Sequence, residues 1–259
     1  MLGSLKGKTF VVMGIANKRS IGWGIARSLD RAGARLVITY NQDRMERNVR
    51  QLAETLESGE EPIILQCNVA DDESIRNCFA AIKEKVGVIH GLAHCIAYAD
   101  REDLQGEFVD TSRDGFLLAQ NISAYSLTAV AREAKELMTE GGSIVTLTYL
   151  GGERVVQNYN VMGVAKASLE ASVKYLANDL GKYNIRVNAI SAGPIRTLSA
   201  KGVRDFNTVL NVIEERAPLR RTVTTEEVGD TAYFLLSDLS RGITGENIHV
   251  DSGYHILGM

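Results

Sequence analysis

A tyrosine and a lysine seven residues apart, Tyr159 and Lys166, lie in the stretch NYNVMGVAKASLEA and have the side chains best suited to chemistry. In a helix, seven residues return to nearly the same face, two turns further on. A phenol that stabilises developing negative charge, beside a cation, suits redox chemistry at a carbonyl-activated carbon. Tyr149, at the end of the preceding apolar run, is a third candidate for the same wall. Taken alone, the pair is equally well explained as a half-buried tyrosine and a solvated lysine.

The elements that must position these residues alternate between strand and helix. Apolar runs predict strands at 9–15, 35–40, 63–69, 91–97, 143–149, 185–191 and 247–250. Helical periodicity predicts helices at 21–31, 44–58, 72–85, 113–139, 159–182 and 225–237. Continuous apolar strands such as FVVMGI indicate a parallel sheet buried on both faces. The pattern predicts an α/β fold of the doubly wound, Rossmann type, with seven parallel strands and helices on both faces.

One long stretch, 194–218, lacks clear alternation and follows the sixth strand. Ligands of open α/β sheets bind outside the carboxyl ends of the strands, so an irregular insertion there is interpreted as a substrate lid. We expect residues 1–259 to form one domain that includes this lid. The apolar residues expected to line this lid are Ile195, Leu198, Ala200, Val203 and Phe206.

The first predicted strand runs into GIANKRSIGWGIA, a turn that aims backbone N–H groups and a helix N-terminus at a phosphate. Gly14 lets the chain leave the strand tightly, and Ser20 is suited to cap the helix or bond a pyrophosphate oxygen. Gly22 and Gly24 are expected to allow close approach of helix to sheet. The loop departs from G-x-G-x-x-G, because Lys18 and Arg19 lie within it.

Residues at the other strand ends complete a predicted dinucleotide site. Asn41 follows the second strand. A neutral amide there can bond a ribose hydroxyl and does not repel a 2′-phosphate, and NADH is weakly favoured over NADPH. Asn68 and Val69 could flank adenine, and the segment after the sixth strand could hold the nicotinamide carboxamide. The predicted cofactor-binding residues are Gly14, Ser20, Ile21, Asn41, Asn68, Val69, Ile96, Lys166, Ile195, Arg196, Thr197, Leu198 and Ser199.

The composition limits the classes of partner. A formal net charge of −3 over 259 residues argues against general affinity for nucleic acid or anionic membranes. No apolar run approaches the ~20 residues of a membrane span, and the N-terminal apolar residues resemble a strand more than a secretory signal. The three cysteines lack metal-ligand spacing, which predicts reduced core thiols in a cytoplasmic protein and no metal site.

Four motifs resemble the short-chain dehydrogenase/reductase superfamily, and within it the bacterial enoyl-[acyl-carrier-protein] reductases. They are GIANKRSIGWGIA, TYLGGERVVQNYNVMGVAKASLEA, RVNAISAGPIRTLSAKG and GITGENIHVDSG, and the resemblance covers essentially the whole chain. Ordinary superfamily members have Tyr-x-x-x-Lys, whereas Met162 occupies that tyrosine position here. A thioether donates no proton. The enoyl reductase pattern is complete in Tyr149, Tyr159 and Lys166.

The resemblance implies reduction of the trans-2 double bond of an enoyl thioester in type II fatty-acid synthesis. It assigns stabilisation of the enolate to Tyr159, ribose contacts to Lys166 and shaping of the substrate pocket to Tyr149. The substrate contacts that it implies are Ala99, Tyr149 and Tyr159, with the apolar lid residues lining an acyl channel. It further implies an acyl carrier protein as partner and a homotetramer. Carrier recognition requires local positive charge; the candidates are Lys201, Arg204, Arg220 and Arg221, each equally explained as solvated surface charge.

Two alternatives stay open from the residues alone. One is a short-chain dehydrogenase acting on a ketone or alcohol, which Met162 disfavours. The other is a dinucleotide-binding protein without catalysis, which the intact Tyr149, Tyr159 and Lys166 disfavour. An assay with enoyl and ketone substrates separates all three possibilities.

Overall fold

Seven parallel strands form one sheet in the computed structural model, which describes residues 3–197 and 206–258. The strand order is β3-β2-β1-β4-β5-β6-β7, which confirms the predicted doubly wound fold. The order reverses between β1 and β4, and a crevice opens at such a reversal. The strands are β1 (Thr9–Met13), β2 (Arg35–Tyr40), β3 (Ile63–Gln66), β4 (Gly91–His94), β5 (Gly142–Thr148), β6 (Ile185–Ala192) and β7 (Asn247–Val250).

Helices cover both faces of this sheet. They are α1 (Ile21–Arg31), α2 (Asp43–Ala53), α3 (Asp72–Val86), α4 (Arg113–Gln120), α5 (Ser126–Leu137), α6 (Asn160–Gly181), α7 (Phe206–Arg216) and α8 (Thr225–Leu236). One core layer joins the sheet to α3, α5 and α6 and contains Cys67 and Cys78. The other joins it to α1, α2 and α8. All three cysteines are free thiols.

Side-chain caps explain where several helices begin. Asp71 accepts a hydrogen bond from the Glu73 amide at the start of α3, at 2.9 Å. At the start of α8, Thr224 and Glu227 form a reciprocal capping box. Such caps satisfy amides that lack partners inside the helix. Within the described part of the chain, no helix is long and apolar enough to cross a bilayer.

Four strands are shorter than predicted at their carboxyl ends, β1 by two residues, β3 and β4 by three each, and β5 by one. Residues 67–69 and 95–97 are apolar enough to extend β3 and β4, but they leave the sheet. Asn68 bends the chain by accepting a hydrogen bond from the Ala70 amide through its side chain, at 3.1 Å. The chain therefore continues as loop after β3 and β4 instead of pairing further along the sheet.

The predicted single helix over 113–139 is interrupted by a π-helical turn, Asn121–Tyr125, between α4 and α5. Inside this turn, the buried Ser123 hydroxyl accepts from the Tyr98 amide and donates to the Tyr98 carbonyl, both at 2.9 Å. The turn therefore ties α4 and α5 to the loop that follows β4. π-Helical turns of this kind are frequent near functional sites.

The prediction that 194–218 is irregular is wrong for its second half. Residues 206–216 form α7, whose Leu210 and Ile213 are 3% and 2% exposed. The i, i+3 spacing of these two apolar residues gives the helix a buried stripe. Leu198, Ala200 and Val203, predicted to line the lid, lie outside the described residues.

Candidate active site

The turn after β1 requires glycine at position 14 for two reasons. Gly14 has φ +81°, a conformation that favours glycine. A Cβ at this position would also lie 2.1 Å from the carbonyl oxygen of Cys95, which follows β4. The backbone at Gly14, which follows β1, therefore lies against the backbone at Cys95, which follows β4. This is the crevice at which Gly14 was predicted to lie.

Ser20 does not cap α1 by the predicted side-chain bond. It occupies the N-cap position, but its Oγ accepts hydrogen bonds from the amides of Ala16 and Asn17, at 3.1 and 3.2 Å. Because the loop's own amides need acceptors, Ser20 shapes the loop that precedes α1. Ile21 is the first residue of α1 and packs on the adjacent core layer.

The two glycines of α1 face different neighbours. A Cβ at Gly22 would lie 3.3 Å from the Met13 carbonyl oxygen and the Cys95 Cβ, so Gly22 does bring the helix close to the sheet. Gly24 was predicted to do the same, and this is wrong. Its Cβ would lie 2.2 Å from the carbonyl oxygen of Thr225, so Gly24 permits contact between α1 and α8.

The remaining predicted strand-end residues lie along the same edge of the sheet. Asn41 directly follows β2 and is exposed, and its carbonyl accepts from Gln66 at 3.3 Å. Val69 is buried after β3. Ile96 and Ala99 follow β4 and are half-buried, packed against core clusters.

The segment after β6 is described as far as Thr197. Ile195 is half-buried, and the Thr197 amide donates to the Ile195 carbonyl at 2.7 Å. The Arg196 guanidinium donates to Asn207 of α7 at 2.6 Å, which connects this segment to α7. Leu198 and Ser199, also predicted to bind the cofactor, lie outside the described residues.

The two candidate tyrosines meet at the carboxyl end of β5. Tyr149 follows β5 directly, and Tyr159 is the N-cap of α6, in right-handed helical conformation rather than inside the helix as predicted. Their rings pack edge to face, with centroids 5.0 Å apart and planes at 70°. Such a contact fixes the orientation of both rings.

Three neighbours that the sequence analysis missed hold Tyr159. A Cβ at Gly151 would lie 2.4 Å from the Tyr159 ring, so glycine is needed for the ring to lie against this backbone. Asn158 and Asn160 both have positive φ, +60° and +29°. Asparagine tolerates this conformation better than most residues. The two asparagines flanking the tyrosine, and the glycine pair after Tyr149, were the available signals.

Lys166 is 5% exposed and donates from Nζ to the Leu147 carbonyl of β5 at 2.7 Å. Burial lowers the pKa of Lys166 to about 8, and the nearby Glu170 carboxylate opposes that shift. The ammonium carries three donors, so donors remain for further acceptors in the crevice. Tyr149, Tyr159 and Lys166 are thereby gathered around the last residues of β5.

Both phenols are protonated donors at neutral pH. Burial raises the pKa of Tyr149 to about 12, helped by the charges of Tyr254 and Asp251. Burial also raises the pKa of Tyr159 far above its ordinary value, with smaller contributions from Tyr149 and Glu170. A neutral phenol at this end of β5 donates a hydrogen bond to an oxygen that gains negative charge.

Met162 lies in a closely packed apolar environment. It is 7% exposed and belongs to an apolar cluster with Leu104, Ala119, Val161 and Ala165. The half-buried Tyr159 packs against the same cluster. The position that holds the tyrosine of ordinary short-chain dehydrogenases is therefore part of the packing beneath Tyr159.

A buried polar group under the site was also missed. His94 ends β4, is fully buried and lies opposite Thr146 in the β4–β5 register. Its ring nitrogens contact Thr146 Oγ1 at 3.0 Å and Ser126 Oγ at 2.8 Å. Burial, with the charge of Lys166, lowers the pKa of His94 to about 3, so the ring is neutral. Its partners come from β5 and α5, which local sequence does not connect.

Two of the four predicted surface cations are described, and both are engaged. Arg221 forms a two-pronged ion pair with Glu227, at 2.6 and 2.9 Å. The Arg220 guanidinium contacts the Glu215 carbonyl. Lys201 and Arg204 lie outside the described residues.

A doubly wound sheet with a glycine turn at its crevice, and with tyrosine and lysine at the end of β5, defines a dinucleotide-dependent reductase of the short-chain dehydrogenase/reductase class. The family model described as "Enoyl-(Acyl carrier protein) reductase" matches residues 14–255. The chain belongs to this enoyl-(acyl carrier protein) reductase family, as its motifs predicted.

Individual relatives agree over nearly full length. The chain is 77% identical to the NADH enoyl-[acyl-carrier-protein] reductase of Bacillus cereus, over 98% of this chain and 99% of that protein. It is 64% identical to the NADPH enzyme of Staphylococcus aureus, over 98% and 99% of the two chains. The crystal structure of the Bacillus cereus reductase with NADP+ and indole naphthyridinone superposes with a TM-score of 0.97, at 77% identity, over 98% and 99%.

Proposed function

We propose that this chain catalyses the NADH- or NADPH-dependent reduction of trans-2-enoyl thioesters carried by acyl carrier protein, in the elongation cycle of fatty-acid synthesis. The observation that carries the proposal is the convergence of Tyr149, Tyr159 and Lys166 at the end of β5. Met162, at the position used for ketone chemistry, packs in an apolar cluster instead. The family and its named relatives support the same reaction.

The residues around the crevice suit a dinucleotide. The space that a Cβ would fill at Gly14 is occupied by the Cys95 carbonyl, which brings loop backbone to the β1–β4 crevice. The loop before α1 and the helix N-terminus provide the phosphate-binding end. Asn41, Asn68 and Val69 would hold the adenosine end, and Ile96 with residues 195–199 the nicotinamide end. When bound, the reduced nicotinamide supplies a hydride to the β-carbon of the substrate.

Tyr159 supplies the hydrogen bond that strengthens during the reaction. As the β-carbon gains hydride, electron density moves to the thioester oxygen, and the Tyr159 phenol donates to that oxygen. The high pKa of Tyr159 keeps the phenol a donor throughout. Protonation of the α-carbon completes the reduction. Lys166 binds ribose hydroxyls with the donors that its bond to Leu147 leaves, and its charge keeps the site electropositive.

Tyr149 and the residues after β6 define the substrate end of the site. Tyr149, edge-on to Tyr159, positions that ring and bounds the pocket together with Ala99. We further propose that residues 194–218 form the lid of a single domain spanning 1–259. The Arg196–Asn207 hydrogen bond supports this proposal, because it connects the segment after β6 to α7.

The remaining assignments concern assembly and location. We also propose a homotetramer, which sedimentation equilibrium tests directly. The three free cysteines support a reducing, cytoplasmic location. An acidic carrier protein would dock near Lys201, Arg204, Arg220 and Arg221. Among these, Arg221 would have to exchange its Glu227 partner for the carrier.

The test is oxidation of NADH and NADPH, followed by absorbance, with a trans-2-enoyl thioester and with acetoacetyl thioester. Oxidation with the enoyl substrate alone is expected. Oxidation only with the ketone would contradict the proposal and favour a carbonyl reductase. Cofactor binding without oxidation of either would favour a non-catalytic dinucleotide-binding protein.

A further inference from the structure

Two consecutive residues of β5 form hydrogen bonds with two residues of α6 that lie one helical turn apart. The Leu147 carbonyl accepts from Lys166 Nζ at 2.7 Å, and the Thr148 hydroxyl donates to Glu170 Oε1 at 2.6 Å. Lys166 and Glu170 are separated by four residues and therefore share a helix face. Strand and helix are joined by two polar contacts side by side, directly below Tyr149.

Glu170 is enclosed on this face. Its side chain is half-buried, and a Cβ at Gly152 would lie 2.6 Å from its Oε1. The glycine at position 152 thus leaves room for the carboxylate. Burial raises the pKa of Glu170, while the hydrogen bond from Thr148 lowers it. Thr148 therefore favours the ionised form of a carboxyl that burial would neutralise.

The titratable groups that face Lys166 come from α6 and from the β4 side of the sheet. The Glu170 carboxylate lies on α6 and favours the protonated lysine. On the β4 side, burial raises the pKa of the Cys95 thiol to about 12 and His94 is neutral. Glu170 is therefore the one described carboxyl group that acts on Lys166.

We propose that Glu170, held by Thr148, is a positioning residue that keeps Lys166 charged and its ammonium aimed at the crevice. A buried ammonium without a counter-charge loses its proton more readily. The neutral amine would have fewer donors for ribose hydroxyls, and the site would lose positive charge. The consequence for cofactor affinity rests on the proposed function of Lys166, whereas the effect of Glu170 on the protonation of Lys166 does not.

The groups that face Glu170 define the control. Besides Lys166 on α6, its charge is influenced by Glu153, which follows β5, and by His249 of β7. Glu153 bonds His249 Nε2 at 2.8 Å and Asn247 Nδ2 at 3.0 Å. Glu153→Gln therefore removes a neighbouring carboxylate without removing the partner of Lys166.

The experiment titrates Lys166 directly in the cofactor-free protein. Lysine labelled with ¹³C at Cε is followed by NMR against pH, with the Lys166 resonance assigned from Lys166→Met. Glu170→Gln keeps the shape of the side chain and its acceptor for Thr148. We expect its Lys166 midpoint to fall by about half a pH unit or more, since a carboxylate on the same helix face favours the charged ammonium. Thr148→Val should shift the midpoint less, in the same direction, and Glu153→Gln should leave it in place.

An unchanged midpoint in both Glu170→Gln and Thr148→Val would overturn the proposal. NADH affinity, measured over the same pH range by fluorescence, separates the effect of Glu170 on Lys166 protonation from the proposed role of Lys166 in cofactor binding. In Glu170→Gln, the decline of affinity at high pH should move to lower pH together with the midpoint. If the midpoint moves and the pH dependence of NADH affinity does not, the cofactor role of Lys166 is refuted, whereas the effect of Glu170 on Lys166 protonation is supported.

Discussion

Tyr149 and Tyr159 contact each other edge to face, with ring centroids 5.0 Å apart. One tyrosine follows a strand and the other begins a helix, so their contact connects β5 to α6 at the crevice. Both phenols remain protonated at neutral pH. The arrangement gives the site neutral donors at the end of β5, the strand whose Leu147 carbonyl also binds the Lys166 ammonium.

Burial of Lys166 should make stability depend on pH. The pKa of Lys166 is about 8 in the folded protein, against about 10.4 in an unfolded chain. Between these values the unfolded chain binds more protons, so the free energy of unfolding gains a contribution that rises with pH. Relative to Lys166→Met, the wild type should gain up to about 3 kcal/mol between pH 7.5 and 10.5. Urea denaturation of both proteins measures this; parallel pH curves would contradict it.

Gly24→Ala should separate α1 from α8. The added Cβ would lie 2.2 Å from a backbone oxygen of Thr225, which a side-chain rotation cannot relieve. We expect a loss of about 2 kcal/mol or more in the free energy of unfolding. Gly181→Ala is the matched control, because Gly181 ends α6 and a Cβ there would meet no described atom within 4 Å beyond the helix's own backbone. That variant should be neutral or more stable by up to about 1 kcal/mol. Equal effects would refute the contact.

Met162→Tyr should destabilise the protein. Met162 lies in a closed apolar cluster, where a larger side chain overpacks and a hydroxyl needs a partner. The expected cost is about 1–3 kcal/mol, seen as a lower thermal midpoint. Met162→Leu conserves volume and should cost less than about 1.5 kcal/mol. If the tyrosine variant equals the leucine variant in stability, the cluster is not closed around this side chain.

Arg44 is the cation best placed to distinguish the two cofactors. It is exposed on the first turn of α2, just after Asn41. A 2′-phosphate at the end of β2 would lie near it, whereas NADH has a hydroxyl there. Arg44→Ala should weaken NADPH binding about fivefold, the scale of one exposed ion pair, and change NADH binding little. Arg47→Ala, on the same helix, is the control. A uniform loss for both cofactors would contradict this placement of the ribose.

Sequence patterns predicted the sheet and most elements because buried parallel strands and amphipathic helices carry strong periodicity. The bounds of α1 and β2 were predicted to the residue. The π-helical turn was not foreseen, since it depends on Ser123 bonding the distant Tyr98. The helix α7 was missed because its short apolar stripe follows a proline- and glycine-containing segment.

The residues of the candidate site also fall into two groups, those that the sequence predicted and those that it did not. Spacing and motif resemblance identified Tyr149, Tyr159 and Lys166. Thr148, Glu170 and His94 were not identified, because their partners come from other elements and depend on strand register and helix facing. Ser20 and Gly24 were singled out correctly as special positions, but their contacts differ from those expected. At these two positions the residue type predicted that the position is structurally special, but tertiary packing determined which atoms it contacts.

The most direct test of the central claim is the rate of enoyl thioester reduction by Tyr159→Phe, measured beside its NADH dissociation constant. Losing the donor to the enolate oxygen should lower kcat about 10²-fold or more, while NADH affinity stays within about twofold. Tyr175→Phe, on an exposed position of the following helix α6, controls for loss of a phenol and should behave as wild type. Wild-type kcat in Tyr159→Phe would contradict the account, because the proposed transition-state interaction would then be absent.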